Sequence, residues 1–165
     1  MIVSLTVFSL YLVVTIMSTH SCIIRNDVMI MLRKEHIYEC PLLQALSDIE
    51  SGSDDRAIGA DGERSRFQIM EQTWISYDKF QHDFSKYASD PDVASKIAIK
   101  HLEFLTEHFQ EETSIGPTPA DLYIMWNIGF RGYKSRGFNP NRVSLTIRNR
   151  ATRFNNLLLL HTSKN

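Results

Sequence analysis

The chain is poor in cysteine and lacks the patterns that usually mark metal or serine-based chemistry. Its only cysteines are Cys22 and Cys40, which can pair in an exported protein but give no disulfide framework. There is no Cys-x-x-Cys pair, and the six histidines are scattered, so neither a metal nor another cofactor is expected. No serine lies in a nucleophile signature, which argues against a Ser-His-Asp enzyme.

Acidic residues are absent after Asp121, although the whole chain has a net charge of only −1. This region carries eight positive charges: Arg131, Lys134, Arg136, Arg142, Arg148, Arg150, Arg153 and Lys164. Such a block can attract a polyanion, whether nucleic acid or a wall polymer with peptide carboxylates, or it can pair with the acidic middle of the chain. No nucleic-acid-binding motif accompanies it, so nucleic acid is not the expected partner.

Charge is also absent from residues 2–17, which are mostly apolar and precede a small-residue stretch at 18–22. This pattern is typical of a signal peptide, although the usual basic residue at the extreme N-terminus is missing. A retained membrane anchor is the alternative, and about 16 apolar residues is slightly short for a spanning helix. We therefore expect an exported protein in which residues 1–21 are a leader or anchor and residues 22–165 form one domain.

A short, well-bounded helix is predicted from Pro41 to Ser51. Proline suits its first position and Gly52 suits the position after its end. Its apolar positions recur at helical spacing and place Glu50 at the edge of the buried face. A partly desolvated carboxyl there favours its protonated form and can act as a general acid. A solvated glutamate at a helix end is the plainer alternative.

The remaining sequence predicts a loop with a small β-hairpin at 53–70, followed by helices. One helix is expected from Glu71 to about Phe84, with its aromatic residues in the core. Others are expected from Pro91 to about Glu112 and over residues 140–160. Another begins at Pro119, capped by Thr118, and can end at Gly129.

Two motifs in this order resemble lysozyme-like muramidases and lytic transglycosylases. The first is Glu50-Ser51-Gly52 followed, eighteen residues after the glutamate, by Gln68 within Phe67-Gln68-Ile69. Soluble lytic transglycosylases have a similar Glu-Ser-Gly and then Gly-Leu-Met-Gln-Ile, whereas Ser65 and Arg66 stand here at the usual glycine and leucine and imply a narrower or more polar groove floor. The second motif, Trp126-Asn127-Ile128-Gly129, resembles the family's Tyr-Asn-Ala-Gly.

The resemblance implies a mainly α, lysozyme-like α+β domain with a small β-hairpin lining the substrate groove. It implies a monomer that cleaves the β-1,4 bond between N-acetylmuramic acid and N-acetylglucosamine in peptidoglycan, with Glu50 as general acid. Substrate contacts are implied for Ser51, Gln68, Trp126 and Asn127, although Trp126 can equally be a core residue.

The second catalytic group is open at the level of sequence. Asp61 and Glu63 lie in the loop where goose-type and invertebrate-type lysozymes carry a second carboxylate, which would make the enzyme a hydrolase. A lytic transglycosylase has none, and the substrate's own N-acetyl group attacks to give an anhydro product. A non-catalytic wall-binding module with the same fold is the third possibility.

Overall fold

The computed structural model describes residues 40–164, which form a mainly helical domain. Its helices, numbered in chain order, are α1 (Pro41–Ser51), α2 (Glu71–Tyr77), α3 (Phe84–Tyr87), α4 (Pro91–Thr113), α5 (Pro119–Lys134) and α6 (Leu145–Thr162). The predicted leader at 1–21 and Cys22 lie outside the described residues, so the export and disulfide hypotheses stay predictions. No helix within residues 40–164 is long and apolar enough to cross a membrane.

Helix α1 forms where the sequence predicts it and lies at the centre of the packing. Proline occupies its first turn, and Gly52 ends it in the left-handed conformation (φ 68°), with its N–H donating to Asp48 O at 3.1 Å. The predicted apolar face is buried. It packs chiefly against α6, and α6 packs in turn against α5. The C-terminus of α1, which carries Glu50, is thereby held against α6.

The predicted β-hairpin is wrong, and with it the lysozyme-like α+β description of the fold. Residues 40–164 contain no β-strand, and the 53–70 loop has only two isolated antiparallel bridges, Ile58 with Arg64 and Arg64 with Ile69. The chain turns at Gly62 and again at Ser65 and Gln68, which have φ of 87°, 73° and 50°. The chain reverses direction within a few residues of each bridge, so neither bridge extends into a longer run of paired strand residues. The expected mainly α character agrees with the structure.

The helix predicted from Glu71 to about Phe84 is interrupted after Tyr77. The Asp78 carboxylate accepts hydrogen bonds from the backbone N–H groups of Phe80 (3.1 Å) and His82, and such local bonds compete with helix continuation. The chain resumes helical structure at Phe84. Phe80, expected in the core, is 82% exposed, so helical spacing was a poor guide once the helix had ended.

The later helices agree with expectation in position and differ in detail. The Asp90 carboxylate caps α4 by accepting from the N–H groups of Asp92 and Val93, and Thr118 and Asp121 form a capping box on α5. Gly129 kinks α5 (φ 74°, ψ 157°) instead of ending it. The last helix is preceded by a 3-10 turn, Pro140–Arg142, and starts only at Leu145.

Candidate active site

Glu50 lies in the last turn of α1 with its side chain almost enclosed by protein. The side chain is 7% exposed, and Arg150 from α6 donates from Nη2 to Glu50 Oε2 at 2.9 Å. The same Nη2 also lies 3.3 Å from the carbonyl oxygen of Ile49. Arg150 itself is 40% exposed, so this ion pair is at the boundary between the interior and solvent.

The other Glu50 oxygen faces a different environment. Among residues 40–164, neither Glu50 Oε1 nor the buried hydroxyl of Tyr123 has a hydrogen-bond partner. Tyr123 and Asn127 are one turn apart on α5, and the Asn127 amide donates to the Tyr123 carbonyl at 3.1 Å. Both side chains lie close enough to the Glu50 carboxyl to lower its pKa. Within residues 40–164, Oε2 is therefore bonded to Arg150, while Oε1 is fully enclosed by protein and has no hydrogen-bond partner.

Burial raises the pKa of Glu50 above its ordinary value. The positive charge of Arg150 and the dipoles of Tyr123, Arg150 and Asn127 act in the opposite direction, but the loss of hydration outweighs them. Burial and the nearby Glu50 charge also raise the pKa of Tyr123, so its hydroxyl stays protonated. A carboxyl with a raised pKa and an unbonded oxygen suits proton donation to a bound molecule.

Ser51 joins the end of α1 to the loop that follows. Its Oγ donates to the carbonyl of Arg66 at 2.9 Å and accepts from the N–H of Asp54 at 3.0 Å. These bonds connect both ends of the 53–70 loop to the helix beside Glu50. The predicted substrate contact of Ser51 is therefore accompanied by a structural role.

We expect Ser51→Ala to lower the free energy of unfolding by about 1–2 kcal/mol, because a part-buried carbonyl and an N–H lose their partner. The control is Ser76→Ala on α2, where the exposed hydroxyl donates to Gln72 O of its own helix; a change within about 0.5 kcal/mol is expected there. Urea unfolding of the two variants measures both values. Equal effects would show that the Ser51 bonds do not stabilise the loop.

Gln68 and Arg66 are both held by the loop itself. The Gln68 amide donates from Nε2 to the carbonyl of Ser65 at 3.0 Å. The Arg66 guanidinium makes a two-pronged bond to the Asp55 carboxylate, at 2.5 Å from Nε and 2.8 Å from Nη2. Ser65 is buried and left-handed (φ 73°), a backbone conformation that glycine adopts more easily than serine. The Arg66 side chain is therefore held by Asp55 within its own loop.

The two candidate second carboxylates lie on a tight turn of the same loop. Asp61 is exposed, and its backbone N–H donates to Glu63 Oε2 at 2.9 Å. Glu63 also folds over Gly59, where a Cβ would overlap its carboxyl group. Within the described part of the chain, neither Asp61 nor Glu63 is among the groups that shift the pKa of Glu50. The structure thus groups Glu50 with Asn127 and leaves these two carboxylates with their own turn.

Trp126 is partly buried and belongs to an aromatic cluster, which we define as Tyr77, His101, Phe104 and Trp126. Its indole lies 5.1 Å from the His101 ring, and the His101 ring stacks on Phe104 at 6.2 Å. A cavity of about 470 Å³ is lined by part of this cluster and by polar residues of α2: Gln72, Thr73, Ser76, Tyr77, His101 and Phe104. Trp126 therefore adjoins this cavity through His101, while its neighbour Asn127 adjoins Glu50.

Sequence reasoning missed Tyr123 and Arg150 as members of the site. Tyr123 lies four residues before Asn127, so the helical period could have placed the two on one face. Arg150 is 100 residues from Glu50 and was recognised only as part of the basic block. Nothing local distinguishes it from the neighbouring arginines.

No group of three or more histidine, cysteine or acidic residues within 40–164 is arranged to hold a metal ion. Comparison of the chain with protein-family models, curated proteins and solved structures finds no match.

Proposed function

We propose that this protein is a peptidoglycan-cleaving glycosidase that acts on the β-1,4 bond between N-acetylmuramic acid and N-acetylglucosamine. The main support for this proposal is the enclosed Glu50 carboxyl. Its pKa is raised by burial, and its Oε1 has no hydrogen-bond partner among residues 40–164. In the proposed reaction Glu50 protonates the leaving glycosidic oxygen as the bond to the anomeric carbon breaks.

The surroundings of Glu50 supply the other functions that a glycan site needs. The Asn127 amide can hold a sugar hydroxyl or N-acetyl group. The aromatic cluster provides apolar faces beside a cavity that Glu50 itself does not line, and apolar lining is usual for a small-molecule site. The motifs at Glu50-Ser51-Gly52 and Trp126-Asn127-Ile128-Gly129 resemble those of lysozyme-like enzymes and favour a glycan over other substrates.

The protein's setting follows from the same proposal. Its partner would be the glycan strand of peptidoglycan, and not nucleic acid. Export, with anchoring through residues 2–17 if the leader is retained, would bring a monomeric enzyme to that substrate. Digestion of purified peptidoglycan, followed by mass analysis of the soluble products, tests the activity. Intact strands after digestion would contradict it.

A lytic transglycosylase is the second candidate, favoured by the environment of the two loop carboxylates. Glu63 is bonded to its own turn, and neither it nor Asp61 is among the main influences on the Glu50 pKa. In this mechanism the N-acetyl group of the substrate attacks the anomeric carbon as Glu50 protonates the leaving oxygen. The product carries an anhydro-muramic end.

Substitution of the two carboxylates distinguishes these mechanisms. A hydrolase needs a carboxylate to activate water or stabilise the cationic sugar, so at least one of Asp61→Asn and Glu63→Gln should impair turnover and the wild-type products should have reducing ends. A transglycosylase should keep its activity in both variants and form anhydro ends. Mass analysis separates the products, because an anhydro end is lighter than a reducing end by one water.

The non-catalytic module is the remaining alternative, and it would be favoured if Arg66, at the position where a leucine is usual, obstructed the groove. The bidentate bond of Arg66 to Asp55 holds this side chain within its loop. A module would bind peptidoglycan in a pull-down but release no fragments. Binding without cleavage by the wild-type protein would favour it over both enzymes.

A further inference from the structure

Arg150 makes three separate contacts around Glu50. Its Nη2 lies 2.9 Å from Glu50 Oε2 and 3.3 Å from the Ile49 carbonyl oxygen, and its Cζ lies 5.7 Å from the centre of the Tyr123 ring. The Tyr123 ring is in turn stacked on Phe154 of α6 at 5.2 Å. The guanidinium is therefore fixed between α1 and α5 and does not extend freely into solvent.

These contacts make the two oxygens of Glu50 chemically different. A guanidinium has only donors and stays protonated at all ordinary pH values, so the oxygen facing it must accept. Because the unprotonated carbonyl oxygen of a neutral Glu50 is the better acceptor for the guanidinium, the proton is favoured on the oxygen that does not face Arg150. That oxygen is Oε1, which is buried and has no partner within residues 40–164.

We propose that Arg150 is a positioning residue that holds Glu50 through Oε2 and keeps the carboxyl proton on Oε1, which has to become exposed before it can pass that proton to a leaving oxygen. The holding of Oε2 by Arg150 rests on hydrogen-bond geometry, and the proton transfer to the leaving oxygen rests on the proposed glycosidase function. It gives a specific role to one arginine of the basic C-terminal region, the only one of its described members to contact Glu50.

The charged and titratable groups around Glu50 determine how Arg150 affects its titration. Helix α6 contributes Arg150 and α5 contributes Tyr123, with the neutral amide of Asn127 beside it. On α1 itself, the Asp48 carboxylate is bonded to His161 at 2.8 Å. Since the Arg150 charge lowers the pKa of Glu50, its removal should raise that pKa further and move the alkaline limb of the pH–rate profile to higher pH.

The test compares Arg150→Met, Arg150→Lys and Arg153→Met with the wild type. Arg153 is exposed on the same helix, so its substitution removes an equal positive charge without touching Glu50. Turnover and KM on purified peptidoglycan are measured across pH, and Glu50 is titrated directly by carboxyl-carbon NMR. Circular dichroism establishes that each variant is folded.

Arg150→Met should lose roughly 10–100-fold in kcat, the scale of a misplaced catalytic group, with KM little changed and the alkaline limb shifted upward. Arg150→Lys should keep the alkaline limb of the pH–rate profile at its wild-type pH. Its kcat should still be lower, because an ammonium cannot reproduce the planar contacts of arginine. Arg153→Met should behave as wild type. If Arg150→Met does not fold, Arg150→Lys decides, since full kcat in that variant would contradict positioning.

Wild-type kcat in a folded Arg150→Met protein would overturn the proposal while leaving the glycosidase function intact. Failure of the wild type to cleave peptidoglycan would instead remove the glycosidase function, and with it the catalytic role of Arg150. In that case, an NMR titration of Glu50 that is unchanged in Arg150→Met would also show that Arg150 does not affect the Glu50 carboxyl. The two failures are therefore distinguishable.

Discussion

Glu50→Gln should lower wall-cleaving activity by roughly 10²–10⁴-fold, the usual contribution of a general acid. The amide keeps the size of the side chain and can still accept from Arg150 through its oxygen, but it has no titratable proton to transfer. Release of soluble fragments from purified peptidoglycan measures the loss. The matched control is Glu111→Gln on the exposed face of α4, which should retain full activity.

The stability of the same variant separates lost chemistry from lost structure. The pKa of Glu50 is raised in the folded protein from 4.5, so the unfolded chain releases this proton at lower pH than the folded one. The folded state consequently loses stability as pH rises from about 4.5 through the folded pKa. Gln has no such proton, so at neutral pH the variant should be at least as stable as the wild type. A folded Glu50→Gln protein with parental activity would exclude Glu50 as the acid.

The second large effect is a loss of stability in acid caused by His101. Burial lowers the pKa of His101 from 6.5 to about 4, so the folded protein resists protonation that the unfolded chain accepts. Stability is therefore retained above pH 6.5 and falls as pH decreases towards 4. The shift corresponds to roughly 3 kcal/mol over this window.

His101→Gln removes this titration while keeping a polar side chain. Between pH 7 and pH 4 the wild type should lose roughly 3 kcal/mol more of its unfolding free energy than the variant does. Urea unfolding at the two pH values measures it, and the comparison cancels the groups that both proteins share. Parallel pH dependences in the two proteins would show that His101 protonates as easily in the folded state as in the unfolded one.

The parts of the fold that sequence predicts well are those with strong local signals. Pro41 and Gly52 confine α1 to the predicted residues because one lacks an N–H and the other adopts positive φ freely. The end of α2 was missed because the Asp78 side chain competes with the helix, and aspartate often occupies helices without doing so. The hairpin was predicted wrongly because Ser65 and Gln68 adopt positive φ, which non-glycine residues rarely indicate in advance.

In the candidate site, too, residues with a local sequence signal were predicted and long-range contacts were not. Glu50 and Asn127 were identifiable from motifs, and the structure brings them together. The Glu50–Arg150 pair depends on how α6 returns across α1, and a separation of 100 residues leaves no local pattern to read. Asp61 and Glu63 were chosen for their position in the loop, whereas the bond of Glu63 to its own turn depends on the conformation of that turn.

The two unbonded polar atoms at Glu50 Oε1 and Tyr123 Oη also bear on discrimination between ligands. Within the described chain, both are buried without a partner, which is an unfavourable arrangement until a bound molecule supplies the missing bonds. A ligand with a hydroxyl or amide at this point relieves that penalty, whereas an analogue of the same shape with hydrogen there leaves it in place. Sites of this kind reject deoxy analogues far more strongly than hydrophobic pockets reject a missing methylene. If the ligand is the proposed glycan, selectivity should therefore depend on the pattern of polar groups on its sugars more than on their bulk.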